Sequence, residues 1–129
     1  MGAAGNLAGE VIQIFGTAKC KGTRAAQRFF ADRGIKVHLV DLHEKGLSKG
    51  ELGSVARAVG GVRALYDATG ARVKERGLQH LDPGEARLTE LLLEDPRLLR
   101  TPIVRDGTKA AVGQAETFWK VLAEAAKKT

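Results

Sequence analysis

The chain has 129 residues, of which 43% are hydrophobic and 28% are charged. These values fit one globular domain with its own hydrophobic core and exclude a scaffold held together by disulfides. The single cysteine cannot form an internal disulfide, and a lone thiol is typical of a reducing cytosol, so we expect a cytoplasmic protein. The net charge of +6 arises from scattered Lys and Arg without interleaved aromatic residues, so no direct nucleic-acid binding is expected.

The start of the chain carries no signal-peptide pattern. Residues 1–9 are rich in Gly and Ala and lack a cationic start followed by an apolar run, so we expect a flexible leader there. Residues 10–129 are expected to form a single domain. No apolar stretch approaches the ~20 residues that a membrane span needs, so no membrane contact is expected. The histidines show no ligand spacing with the cysteine, so no metal site is predicted.

The first third of the chain predicts a βαβ unit. Residues 11–15 are apolar and β-branched, which is typical of a buried parallel strand. From Thr23 onward, apolar residues recur at spacings of three and four, as in an amphipathic helix that Gly34 is expected to end. Residues 37–42 predict a second strand, which a right-handed crossover joins to the first.

The middle of the chain predicts a helical insert. Ser48 and Glu51 have the spacing of a capping box, at the start of a helix that extends to Gly60. Residues 62–66 predict a short helical piece. Residues 67–84 are polar and predict an irregular insertion or lid over one face.

The last third of the chain predicts a ββα unit. A helix that ends at Asp95 precedes it. Residues 101–105 and 108–112 predict two strands, because an Asp-Gly dipeptide between them is a strong hairpin signal. Residues 116–128 predict the closing helix. The order βαβ, helical insert and ββα predicts an α/β protein with a thioredoxin-like fold around a central four-stranded mixed sheet.

Cys20 is the candidate nucleophile. It lies in the loop between the first strand and the first helix, where free N–H groups and the positive end of the helix dipole favour an anion. Lys19, Lys21 and Arg24 add positive charge, and each of these features lowers a thiol pKa. A buried structural cysteine is the alternative. Cys20 lies outside the apolar run and between two lysines, so an exposed reactive thiol is predicted.

Thr23 stands where a dithiol oxidoreductase has its second cysteine, so Cys-x-x-Thr is a monothiol version of Cys-x-x-Cys. Any redox cycle at Cys20 must then pass through a mixed disulfide with an external partner. The partners expected are glutathione or another small thiol, a glutaredoxin- or thioredoxin-type reductant, a protein disulfide or a second copy of the chain. No bound cofactor is expected. Two roles are open for the Thr23 hydroxyl, a hydrogen bond to the thiolate and a helix cap, and we favour the cap.

Two segments of the sequence resemble the arsenate reductase (ArsC)/Spx family. Residues 15–20 with Thr23 and Arg24 look like the family's active-site loop, and residues 98–107 are similar to its C-terminal signature. The resemblance extends over roughly residues 10–122. It implies a thioredoxin-like fold with an active cysteine at the position of Cys20.

The resemblance also implies an anion-binding groove beside the thiol. The candidate residues for binding the substrate or anion are Thr23, Arg24, Arg100 and Arg105. The candidates for shaping the groove are Thr101 and Pro102. In thioredoxin-like folds a cis-proline at this place lies against the active thiol, and the sequence leaves the isomer of the Thr101-Pro102 bond open.

The chain departs from well-known arsenate reductases of this type where they bind the oxyanion. Gly16 stands in place of a histidine, and Thr101 in place of the arginine before the strand proline. Asp67 and Gly113 stand near the places of two further arginines. A charged hydrogen bond contributes roughly 1.5–3 kcal/mol, so losing several predicts weak arsenate binding.

Three functions follow from these observations, and the first is favoured. The first is a thiol-dependent oxidoreductase in which Cys20 attacks a disulfide and an external thiol such as glutathione completes the cycle. The second is an arsenate reductase coupled to glutathione and glutaredoxin. The third is a non-enzymatic regulator of the Spx type that binds RNA polymerase, although such members commonly carry Cys-x-x-Cys.

Overall fold

The computed structural model describes residues 11–127, so the predicted leader at residues 1–9 lies outside the described residues. The four strands of the central sheet are β1 (Ile12–Gly16), β2 (Val37–Asp41), β3 (Ile103–Asp106) and β4 (Lys109–Val112). Their order across the sheet is β2-β1-β3-β4. Strand β1 runs parallel to β2 and antiparallel to β3, and β3 and β4 form an antiparallel hairpin. The predicted four-stranded mixed sheet is confirmed.

Helices cover both faces of the sheet. They are α1 (Lys21–Ala31), α2 (Lys49–Val59), α3 (Ala71–Glu75), α4 (Glu85–Glu94) and α5 (Glu116–Lys127), with 3₁₀ turns at Val62–Leu65 and Pro96–Leu98. Helices α1 and α5 pack on one face through Phe30 and Trp119, and α2 and α4 pack on the other face, against Phe15 and Ile103. None of these helices within residues 11–127 is both long and apolar enough to cross a membrane.

The bounds of α1 differ from those predicted, and the difference affects the thiol. The helix begins at Lys21, two residues before Thr23, so Cys20 takes the N-cap position. The regular hydrogen bonding ends at Ala31, and Gly34 then terminates the helix as an αL cap, as predicted: its φ is 69°, its N–H donates to the Ala31 carbonyl over 3.0 Å, and the Ile35 N–H donates to the Phe30 carbonyl over 2.9 Å. A glycine suits that position because other residues rarely adopt a positive φ.

The predicted capping box at the start of α2 is confirmed. Ser48 accepts a hydrogen bond from the Glu51 N–H, and the Glu51 side chain accepts one from the Ser48 N–H. The segment 67–84 is less irregular than expected, because it contains the short helix α3. The predicted closing helix agrees with α5 as far as Lys127, and residue 128 lies outside the described residues.

Candidate active site

The loop from β1 to α1 places Cys20 at the end of the sheet where β1 stops. The Cys20 N–H donates to the Thr17 carbonyl over 3.1 Å, and the Cys20 carbonyl accepts from the Arg24 N–H over 3.1 Å. Cys20 is the N-cap residue of α1, with an extended backbone and no side-chain capping hydrogen bond. The partly exposed thiol therefore lies beside the free N–H groups of the first helical turn, where a thiolate is favoured.

Thr101 provides a hydrogen-bond donor to this thiol. Because β3 runs antiparallel to β1, the residues just before β3 lie next to the loop that follows β1. The Thr101 hydroxyl donates to Cys20 Sγ over 3.1 Å. The Thr101–Pro102 peptide bond is cis, and Pro102 is buried. Sequence analysis assigned Thr101 only to the groove wall and missed this direct contact with sulfur.

The pKa of the Cys20 thiol lies below its ordinary value. Burial alone would raise this pKa, but the hydrogen bond from the Thr101 hydroxyl, the nearby Thr23 hydroxyl and the backbone N–H groups of Thr23 and Gly22 lower it. The net effect stabilises the thiolate, which is the nucleophilic form of cysteine.

Thr23 is fully buried against the end of β1. It is the third residue of α1 and not its cap, so the favoured capping role was wrong. Its hydroxyl has no partner of good hydrogen-bond geometry among residues 11–127, yet it lies close enough to Cys20 to lower the pKa of the thiol. A Cβ atom at Gly16 would lie 2.7 Å from Thr23 Cγ2 and closer still to Thr23 Oγ1. Thr23 therefore occupies the space that a side chain at position 16 would need.

Gly22 allows Pro102 to approach the start of α1. A Cβ atom at position 22 would lie 2.7 Å from Pro102 Cδ and 3.6 Å from Gln114 Cγ. Only a residue without a side chain lets the proline, and with it Thr101, come this close to the helix. Gly22 thus helps to set the distance between the Thr101 hydroxyl and the sulfur.

Two of the predicted anion-binding arginines contact backbone oxygens near the site. Arg24 Nη1 donates to the Ala18 carbonyl over 3.0 Å and so holds the active-site loop. Arg100 Nη1 lies 3.4 Å from the Ala64 carbonyl, and the Arg100 N–H donates to the Leu65 carbonyl over 2.7 Å. Both side chains are exposed, and the hydrogen bonds that they donate go to backbone carbonyls and not to Cys20.

Arg105 is not at the site, so its predicted role beside Cys20 was wrong. The register of β1 and β3 pairs Arg105 with Gln13, toward the end of the sheet opposite the thiol. Its Nε donates to the Gly107 carbonyl over 2.9 Å, and its Nη1 lies 3.3 Å from Gln13 Oε1 and 3.9 Å from Glu51 Oε2. The guanidinium is thus held on the α2 side of the sheet.

The buried carboxylate of Asp95 binds arginines of the segment that faces the thiol loop. Sequence analysis predicted only that Asp95 ends a helix. Asp95 Oδ2 accepts from Arg72 Nε over 2.6 Å and from Arg76 Nη1 over 3.3 Å. Asp95 Oδ1 accepts from the Arg97 N–H over 3.2 Å. Burial would raise the pKa of Asp95, but these hydrogen bonds, led by that of Arg72, hold it below its ordinary value. Arg72 on α3 and Arg76 directly after it, four residues apart, were the sequence signal for a shared carboxylate.

A cavity of about 460 Å³ lies between this cluster and the thiol loop. Residues from both sides line it, including Thr17, Lys19, Thr101, Asp67, Arg72 and Arg97. Residues 11–127 contain no group of three or more His, Cys, Asp or Glu side chains that could hold a metal ion. The arrangement therefore offers an activated thiol beside an open groove.

The fold and the site together define a thioredoxin-like protein whose single cysteine lies at the N-terminus of the first helix. The profile of the ArsC family matches residues 15–122, and the chain belongs to that family.

Two relatives of the chain carry different functional names. This chain is 31% identical over 106 residues to the global transcriptional regulator Spx 2 of Oceanobacillus iheyensis. The matched region covers 81% of this chain and 78% of that protein. This chain is 29% identical over 115 residues to the arsenate reductase of Haemophilus influenzae, covering 86% of this chain and 98% of that protein.

Solved structures share the fold. An ArsC family related protein from Bacteroides fragilis superposes with a TM-score of 0.76 at 18% identity, covering 86% of this chain and 96% of that one. An arsenate reductase from Vibrio cholerae superposes with a TM-score of 0.74 at 23% identity, covering 87% and 97%. These likenesses establish the thioredoxin-like architecture of the ArsC family for this chain.

Proposed function

We propose that this chain is a thiol-dependent oxidoreductase that uses Cys20 as its nucleophile and an external thiol, such as glutathione, as its reductant. The observation that carries the proposal is the 3.1 Å hydrogen bond from the Thr101 hydroxyl to Cys20 Sγ, at the N-terminus of α1. A structural cysteine needs no donor aimed at its sulfur, whereas a nucleophilic thiolate is stabilised by one. A reducing cytoplasm would supply the thiol that the cycle consumes.

The cycle needs no second cysteine in the chain. The Cys20 thiolate attacks one sulfur of a substrate disulfide, the substrate S–S bond breaks, and the departing thiolate takes a proton from water. A glutathione thiolate then attacks the mixed disulfide at the Cys20 sulfur and releases the second substrate thiol. A second glutathione thiolate attacks the sulfur of the bound glutathione, which frees Cys20 and yields oxidised glutathione. The two substrate sulfurs are reduced, and two glutathione sulfurs are oxidised.

Arsenate reduction is the second candidate, and the name of the Haemophilus influenzae relative favours it. Arsenate carries several negative charges and needs guanidinium groups around the sulfur. Here Arg105 lies toward the opposite end of the sheet, and Thr23 fills the space beside Gly16. Arg24 and Arg100 stay exposed near the site. We therefore expect turnover of disulfides to exceed turnover of arsenate.

A regulator that binds RNA polymerase is the third candidate, and the name of the Oceanobacillus iheyensis relative favours it. In this role Cys20 would be a sensor whose oxidation changes a binding surface. The lone cysteine argues against an internal disulfide switch, because the position of a second cysteine is taken by Thr23. A regulator would bind its partner without turning over a substrate.

A glutathione-coupled reductase assay separates these candidates. The wild-type protein, Cys20→Ser and the distant control Arg105→Gln are each tested with a small disulfide and with arsenate, while NADPH consumption by glutathione reductase is followed. We expect disulfide-dependent turnover in the wild type and in Arg105→Gln, and none in Cys20→Ser. Full activity of Cys20→Ser would end the proposal. Turnover with arsenate but not with the disulfide would favour the second candidate. No turnover with either substrate, together with a pull-down from cell extract that recovers polymerase subunits, would favour the third.

A further inference from the structure

The exposed face of α1 carries three cations that begin directly after Cys20. Lys21, Arg24 and Arg28 are spaced three and four residues apart, which places them on one face of the helix. All three are exposed, and a concavity of about 190 Å³ between them is lined also by Ala25. We call this face the α1 ridge (Lys21, Arg24 and Arg28).

No carboxylate within residues 11–127 neutralises the α1 ridge. None of its cations forms an ion pair with an Asp or Glu of that part of the chain. Arg24 donates instead to the backbone carbonyl of Ala18. Arginines elsewhere do meet carboxylates, as Arg87 does with Glu90 over 3.1 Å. The ridge and the positive end of the helix dipole therefore form a patch of uncompensated positive charge.

On the other side of the thiol, at the 460 Å³ cavity, the arginines are paired with carboxylates. The cavity is lined by these two arginines, which acidic side chains engage, and by Lys19, which forms no ion pair with a carboxylate of residues 11–127. Arg72 pairs with Asp95 over 2.6 Å and with Glu75 over 3.3 Å, and Arg97 Nε lies 3.7 Å from Asp95 Oδ1. An anionic partner that approaches Cys20 therefore meets more unpaired positive charge on the α1 side, where three such cations lie together.

We propose that the α1 ridge is the docking surface for an acidic segment of the protein whose disulfide Cys20 attacks, an inference that rests on the proposed oxidoreductase function. From Cys20 to Arg28 the chain rises about 12 Å, at 1.5 Å per helical residue. An extended segment spans that distance in about four residues of about 3.3 Å each. The partner therefore carries Asp or Glu within about four residues of the sulfur that is attacked. Complementary charge accelerates the encounter and is sensitive to salt.

Matched peptide disulfides test this docking surface. Two peptides differ only in carrying four Glu or four Gln residues beside a single cysteine, and each is joined to thiopyridine by a disulfide. The Cys20 thiolate attacks the peptide sulfur, the bond to thiopyridine breaks, and the departing thiopyridone keeps the electron pair and takes a proton. We expect the acidic peptide to react roughly tenfold faster at low salt. The preference for the acidic peptide should be lost when salt is raised from about 0.01 M to about 1 M, because the Debye length falls from about 30 Å to about 3 Å.

Arg28→Glu is the informative variant, because Arg28 lies far along the ridge from the sulfur. It should reduce the preference to roughly twofold or less while the neutral peptide keeps its rate constant. Arg57→Glu is the matched control, since Arg57 also lies in the last turn of its helix, and it should keep the full preference. A wild-type preference near one, or an unchanged preference in Arg28→Glu, overturns the docking proposal. An unreactive neutral peptide overturns the oxidoreductase function itself.

A single-stranded oligonucleotide serves as a second probe of the α1 ridge. Absence of binding at about 0.15 M salt, together with the peptide preference, supports a protein partner. Oligonucleotide binding that is lost in Arg28→Glu, together with an unaffected peptide preference, makes the ridge a nucleic-acid surface and overturns the proposal.

Discussion

Replacing Thr101 by valine removes the donor that the structure places on the active sulfur. The two side chains have similar shapes, but valine lacks the hydroxyl that donates to Cys20 Sγ over 3.1 Å. A hydrogen bond to a charged group contributes about 1.5–3 kcal/mol, and the partial exposure of Cys20 favours the lower end. Because about 1.4 kcal/mol corresponds to a factor of ten, the ratio of thiolate to thiol at a given pH falls roughly tenfold. The pKa of Cys20 therefore rises in this variant.

A higher thiol pKa has a second and opposite effect on the rate. A more basic thiolate is a better nucleophile, with a Brønsted slope of about 0.4–0.5, so each thiolate becomes roughly threefold more reactive. Below the pKa the loss of thiolate dominates, and the net rate falls roughly threefold. At alkaline pH both proteins are fully ionised, and the variant reacts roughly threefold faster than the wild type.

The assay is the rate of reaction with the neutral disulfide dithiodipyridine, followed by stopped flow from acidic to alkaline pH. The curves of the wild type and Thr101→Val should cross, and Thr101→Ser, which keeps the hydroxyl, should follow the wild type. Coincident curves for the wild type and Thr101→Val would refute the role of the hydroxyl. Equal losses in Thr101→Val and Thr101→Ser at every pH would also refute it, because packing would then explain both.

Three further substitutions test the surroundings of the thiol. Asp95→Asn should lower the free energy of unfolding at neutral pH by about 2 kcal/mol, less than the 3–5 kcal/mol of a fully buried pair because Arg72 is partly exposed. Because the pKa of Asp95 is lowered in the folded protein, this stability is present above the ordinary carboxyl pKa and is lost as pH falls through the folded pKa. The free energies of unfolding of the wild type and Asp95→Asn, measured in urea, should therefore converge in acid. A difference that stays constant with pH would contradict this. Gly22→Ala brings a Cβ to 2.7 Å from Pro102 Cδ, so unfolding should become easier by about 1–3 kcal/mol and the dithiodipyridine rate should fall; unchanged values would mean the contact relaxes freely. Arg105→Gln should leave the rate of reaction with dithiodipyridine unchanged. A severalfold loss of rate would mean that Arg105 does act at the thiol.

The position of Cys20 could be predicted because the signals for it are local. An apolar run followed by a helical period fixes a strand, a loop and a helix start within about ten residues, and a cysteine in that loop must meet the first helical turn. The mixed sheet could also be predicted, because local patterns locate each strand and helix, and their order along the chain indicates the fold. The start of α1 was misplaced by two residues because Gly22 and Lys21 give no apolar signal.

The contacts that tune the thiol could not be predicted, because they join distant parts of the chain. Thr101 and Cys20 are 81 residues apart, and only the antiparallel placement of β3 beside β1 brings them together. Arg105 failed as a prediction because the sequence does not give the strand register, which sets where along the sheet a side chain lies. The Asp95 cluster joins residues 19 and 23 positions apart and depends on where α3 packs.

The most direct test of the account is the pKa of Cys20, measured from the far-ultraviolet absorbance of the thiolate as a function of pH. The chain has a single cysteine, so Cys20→Ser provides a complete blank. We expect a titration midpoint below that of an unperturbed cysteine thiol, because the donors at the start of α1 and the Thr101 hydroxyl stabilise the thiolate. A midpoint at or above that value would mean that burial prevails over these donors, and it would contradict the proposal that Cys20 is an activated nucleophile.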